Sequence, residues 1–126
     1  MATMREAGRD PGLQRWLGAA GAALAASGIA LSAYAAHATL DDGVRGHLQQ
    51  AALFALVQGA VTTALAPLPA RNSQRHALAL QLTGALVFSG SVALHALAGV
   101  PALLAPAGGI AMIAGWLWLA VLRAVR

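Results

Sequence analysis

Four long apolar runs separated by short polar stretches make up nearly the whole chain. The runs extend over about 16–36, 48–68, 77–98 and 101–122, and none contains Asp, Glu, Lys or Arg. Each holds about 20 residues, which at about 1.5 Å rise per residue matches a hydrocarbon core of about 30 Å. Lipid leaves every backbone polar group to be satisfied within the segment, so runs of this length predict helices. The apolar character covers most of each circumference, as lipid-facing helices require. The pattern predicts an all-α, four-transmembrane-helix up-down bundle with short loops. Residues 1–15 form an N-terminal segment, and 16–126 form one membrane domain.

The polar stretches explain the connectivity. Residues 38–47 are turn-rich, and Asp41 or Asp42 is placed to cap the second helix. Residues 69–76 join the second and third runs, and Gly99-Val100-Pro101 gives a tight last hairpin, with Pro101 suited to a first helical position. Such short connections force antiparallel neighbours. Pro106, followed by Gly108 and Gly109, predicts either a kink in the fourth helix or a late start to it.

Composition sharpens the class. Hydrophobic residues are 59% of the 126 and charged residues only 10%, too few to clothe a water-soluble surface. There are no cysteines, which removes disulfides and thiolate metal sites. All eight basic residues are arginine, and they flank the apolar runs in ones, twos and threes. A nucleic-acid-binding domain would gather them on one face, so no nucleic-acid partner is expected.

The arginines also orient the chain. Arg5, Arg9 and Arg15 precede the first run, Arg71 and Arg75 separate the second from the third, and Arg123 and Arg126 follow the fourth. With four spans these segments share a side, and only Arg45, beside Asp41 and Asp42, lies on the other. The positive-inside rule places both termini of this multi-pass chain in the cytoplasm. Trp16, Trp116 and Trp118 then fall near the inner interface, which suits indoles. Arginines, an apolar run and Ala33-Tyr34-Ala35 also fit a signal peptide with a small-residue cleavage site. The run is longer than the about 7–15 residues of a signal core, which favours a retained span.

Small residues recur four apart, as Gly21/Ala25, Ala22/Ala26, Ala85/Ser89, Ser89/Ala93, Ala105/Gly109 and Ala111/Gly115. In lipid this spacing lets helix backbones approach closely. Packing within the chain is the first reading, and homo-oligomerisation through the first span is the alternative.

Polar residues inside the runs are the candidate sites. Ser27, Gln58, Ser89 and Ser91 fall near mid-span, where an amide or hydroxyl costs several kcal/mol unless hydrogen-bonded. They are expected to face one another as a structural clasp. His37, His47 and His95 converge on the outer side, near Asp41 and Asp42, as weak candidates for a metal site, although their spacing matches no metal motif. A bis-histidine haem would need His37 and His95 inward at matching depth, and both fall near the outer end, so no cofactor is expected. His76 reads as a helix-flanking residue. No carboxylate or lysine lies within a run, so the usual intramembrane ion relay is missing. Nor does any Ser-His-Asp set, phosphate loop or carboxylate pair assemble with plausible spacing.

Several segments together resemble the domain of unknown function 423 family, small membrane proteins related to transmembrane protein 256. The segments are Ser32-Ala33-Tyr34-Ala35-Ala36-His37, Phe88-Ser89-Gly90-Ser91, Pro106-Ala107-Gly108-Gly109 and Gly115-Trp116. The resemblance runs from about Leu17 to Arg123. Where the family often carries a histidine in its second span, this chain has Gln58. The resemblance implies a bacterial inner-membrane protein of four spans with no established activity.

Three functions follow in order of expectation. The first is a non-enzymatic structural or interaction component of the membrane, as a homo-oligomer or within a larger complex. The second is a small oligomeric transporter or channel that uses the Pro106 break and Gln58. The third is a metal-binding protein of the periplasmic face built on His37, His47 and His95.

Overall fold

The computed structural model describes residues 11–68 and 70–125. Expectations for Arg5, Arg9, Pro69 and Arg126 lie outside the described residues. Among the described residues four helices follow one another: α1 Pro11–His37, α2 Asp42–Leu65, α3 Asn72–Ala98 and α4 Ala105–Ala124. All four are long and apolar enough to cross a membrane.

Three helices begin five or six residues before the apolar runs do. A bilayer imposes an apolar composition only on the part it covers, and the helix continues into the headgroup layer wherever capping allows. Asp41 caps α2, its Oδ1 accepting from the Val44 N–H at 2.9 Å. The Arg71 N–H donates to Gln74 Oε1 at 3.1 Å, half of a capping box that starts α3 at Asn72. Residues 11–15, expected in an N-terminal segment, are the first turn of α1.

The last helix is shorter than expected. Gly99 ends α3 with φ 69, the left-handed conformation that a residue without Cβ adopts freely, and its N–H reaches the His95 carbonyl at 3.0 Å. Residues 99–104 then form an irregular connection, so Pro101 does not start α4. Pro106 instead sits in the first turn, where its missing N–H leaves no hydrogen bond unmade. Of the two expectations for Pro106, the late start is what the structure has.

Each helix packs on the next in sequence, α1 on α2, α2 on α3 and α3 on α4, with a minor contact between α1 and α3. The backbones of α1 and α2 stay clear of α4, with no Cα pair within 8 Å. The up-down order is therefore as expected, but the bundle does not close into a ring. The short connections place the α1–α2 and α3–α4 turns at one end, the hairpin end. The α2–α3 connection and both chain ends lie at the other, the termini end.

Glycine sets the spacing within each hairpin. A Cβ on Gly59 would lie 2.5 Å from the Gly21 carbonyl oxygen and the Ala25 nitrogen, so α1 and α2 touch backbone to backbone. A Cβ on Gly108 would lie 2.5 Å from the Phe88 nitrogen and 2.7 Å from the Gly84 carbonyl oxygen, and α3 and α4 are as close. Dispersion and Cα–H···O contacts at this range hold helices together where lipid removes the hydrophobic drive. The Gly21/Ala25 spacing thus marks a real interface, whereas Ala22 and Ala26 are exposed. Between the hairpins, Leu17, Leu24, Ala55, Ala66, Leu82, Ala85 and Met112 form the main core.

Candidate ligand cleft at the hairpin end

Because the backbones of α2 and α4 flank α3 without approaching each other, a groove is left over the α3 surface. It forms a cleft of about 560 Å³, within the size range of small-molecule sites. Its walls are apolar, from Phe88 and Val92 on α3 and Pro106, Ile110 and Ile113 on α4, and its polar groups are His47, Gln50 and His95. The late start of α4 and the bare Gly109 keep the groove open, since a side chain on Gly109 would project toward Phe88.

Two imidazoles stand together at the mouth. The rings of His47 and His95 are edge to face, with centroids 5.6 Å apart. His95 Nδ1 lies 3.0 Å from the Val100 carbonyl oxygen. A carbonyl only accepts, so Nδ1 carries the proton and donates, and Nε2 is the nitrogen left for other partners. Deeper in the groove Phe88 packs edge to face on Phe54, with centroids 5.0 Å apart.

The third expected histidine stays apart. His37 is exposed at the end of α1 and does not line the cleft, because α1 packs on α2 and away from α4. Among the described residues no three or more His, Cys, Asp or Glu side chains come together as a metal site would need. Arg45, from the first turn of α2, donates to the carbonyls of Ala35, Ala38 and Leu40, closing the C-terminal end of α1. His76 is exposed at the start of α3.

The expected mid-span clasp is only partly formed. Ser89 is buried and donates to the Ala51 carbonyl on α2 at 3.0 Å, joining the two hairpins. Gln58 is buried as well, but its Oε1 has no hydrogen-bond partner. Ser27 does not take part. It is exposed and donates to the carbonyl of Ala23 one turn back at 2.8 Å, which satisfies its hydroxyl without any neighbouring helix. Ser91 is half-buried.

Three buried polar residues were missed by the sequence reading, of which Thr62 satisfies its hydroxyl by donating to the Gln58 carbonyl one turn back at 2.8 Å. Gln81 is fully buried on α3, with neither amide atom partnered. Arg75 is 3% exposed, with Nε and Nη1 unpartnered. The pairings His47 with His95, Ala51 with Ser89 and Phe54 with Phe88 fix an antiparallel register between α2 and α3. Continued along that register, Gln58, Gln81 and Arg75 lie in sequence from mid-span toward the termini end. A search for charge alone passes over Gln81, and Arg75 reads as a loop residue until α3 is known to begin at Asn72.

Fold and groove define a class: among the described residues, an all-α arrangement of four helices with the length and composition of a multi-pass membrane protein. The family model described as "Protein of unknown function (DUF423)" matches residues 31–109, and the chain belongs to that family. The matched region holds Ser32–His37, Phe88–Ser91 and Pro106–Gly109, whereas Gly115-Trp116 lies beyond it. No curated protein and no solved structure matches the chain significantly.

Proposed function

We propose that this is a bacterial inner-membrane protein with both termini in the cytoplasm, acting without catalysis as an interaction component of the membrane. The observation that carries the reading is the division between a sealed interior and an open flank. Backbone-to-backbone glycine contacts close the inside of each hairpin. Large apolar side chains, among them Leu103 of the α3–α4 connection and Ile110, Ile113 and Leu117 of α4, point outward, where lipid or another membrane segment covers them. The orientation rests on the arginines, because Arg15, Arg71, Arg75 and Arg123 share the termini end, while Arg45 alone marks the hairpin end.

A C-terminal reporter active only in the cytoplasm tests the orientation. Native mass spectrometry after extraction in mild detergent tests the role. Stoichiometric self-association or a co-extracted membrane partner is expected. A strictly monomeric chain with no bound partner, paired with solute flux in liposomes, would replace this reading with the transporter. That second reading draws on the buried, unpartnered polar atoms of Gln58, Gln81 and Arg75, which are the groups that water or a solute would satisfy.

A further inference from the structure

We propose that the cleft binds a long-chain carboxylic acid, with its carboxyl group at the His47/His95 mouth and its hydrocarbon chain along α3. The inference goes beyond the orientation and interaction role above and needs only that the helices cross a bilayer.

The shape selects a single chain. The groove is one helix wide, bounded by α2 on one side and α4 on the other. His95 and Phe88 are seven residues apart, about 10 Å of helix axis. On α4 the lining runs from Ala105 to Ile113, eight residues or about 12 Å. One leaflet of the hydrocarbon core is about 15 Å deep, so the groove follows most of a leaflet from the headgroup layer toward the midplane. A two-chain lipid would leave one chain outside.

The mouth selects the head. With Nδ1 of His95 committed to Val100, the neutral ring presents Nε2 as an acceptor, which wants an O–H donor. A carboxylic acid offers that O–H and a carbonyl oxygen beside it. The carbonyl oxygen takes a hydrogen bond from the Gln50 amide or the His47 ring N–H. When the acid's proton moves onto Nε2, the O–H bond breaks and an N–H bond forms. A carboxylate then stands beside an imidazolium, with the total charge unchanged and the hydrogen bond strengthened. No carboxylate or guanidinium lines the cleft to oppose or duplicate this pairing. Asp41 caps α2, Asp42 and Arg45 lie in its first turn, and Asp41 and Arg45 are engaged in capping. An alcohol of equal length supplies the O–H without the second oxygen, and a zwitterionic head supplies no proton.

The test uses the full chain in phosphatidylcholine nanodiscs, titrated with isotope-labelled palmitic acid. Carboxyl NMR reports the head and native mass spectrometry the stoichiometry. Hexadecanol and lysophosphatidylcholine serve as single-chain controls. Saturable binding of one palmitate per chain, at least tenfold tighter than either control, is expected. His95→Gln should abolish the preference over hexadecanol. Gly109→Leu should fill the groove and weaken palmitate binding at least tenfold. A Cβ at Gly109 finds its nearest atom, Phe88 Cδ2, at 3.8 Å, so the substitution begins without backbone overlap, and circular dichroism with a melting curve checks that the variant is folded. Equal binding of palmitate and both controls would overturn the proposal. So would unchanged palmitate binding by a folded Gly109→Leu variant.

Discussion

Gly108 and Gly109 are neighbours in sequence, yet adding one methyl group should move stability in opposite directions. At Gly108 the new Cβ would stand 2.5 Å from the Phe88 nitrogen and 2.7 Å from the Gly84 carbonyl oxygen. Both are backbone atoms of α3, so no rotamer relieves the overlap, and α4 must move outward by about 1 Å. Overpacking of this kind costs about 1–3 kcal/mol. Displacing the helix also gives up close contacts along the rest of the interface, while alanine's better helix propensity returns about 1 kcal/mol. The net expectation for Gly108→Ala is a loss of about 2 kcal/mol. At Gly109 the nearest atom is at 3.8 Å, an ordinary contact, so only the propensity gain of about 0.5–1 kcal/mol remains. Thermal or denaturant unfolding in one detergent, followed by circular dichroism, reads the difference. Gly108→Ala should melt several degrees below the parent and Gly109→Ala at or above it. Equal midpoints would refute the backbone contact between α3 and α4.

Other expectations are simpler. Ser89→Ala removes the hydrogen bond between hairpins to Ala51 and should cost about 0.6–1.7 kcal/mol, whereas Ser27→Ala, at a hydroxyl bonded within its own turn, should be within about 0.5 kcal/mol of the parent. Asp41→Ala removes the α2 N-cap and should cost about 1 kcal/mol in the same unfolding assay, with Asp42→Ala nearer neutral. Arg75→Met replaces a buried guanidinium whose Nε and Nη1 have no partner by an apolar chain and should be neutral or stabilising by up to about 4 kcal/mol. A clear fall in its melting temperature would show that Arg75 has an anionic partner in the membrane.

What could be read from the sequence follows from what lipid enforces. The four runs were legible because a bilayer tolerates no charge across about 20 residues, and their short connections fixed the antiparallel order. The helix ends were not legible in the same way. The Asp41 cap of α2 was legible as one of two candidates, whereas Gln74 acts through a local hydrogen bond in a polar flank where the apolar criterion is silent. Pro106 left a kink and a late start equally open, and only the irregular 99–104 connection decided between them. The direction of each side chain around its helix was the main loss. Ser27 and Gln58 look alike as mid-span polar residues, yet one faces outward and the other inward, because glycines Gly21 and Gly28 define the buried face of α1. The histidines show the same limit. His47 and His95 meet because α2 and α3 pack in that register, while His37 ends α1 exposed and outside the lining of the cleft.

The arrangement of the two hairpins, joined through α2 and α3 and open between α2 and α4, is tested most directly by cross-linking in native membranes. The chain has no cysteine, so introduced pairs report without background. A short bismaleimide should join His47→Cys to His95→Cys within one chain. Ile29→Cys and Ile110→Cys, on α1 and α4, should stay unlinked within one chain under the same conditions. Efficient intramolecular linkage of the second pair, or failure of the first in a folded protein, would contradict the open four-helix order.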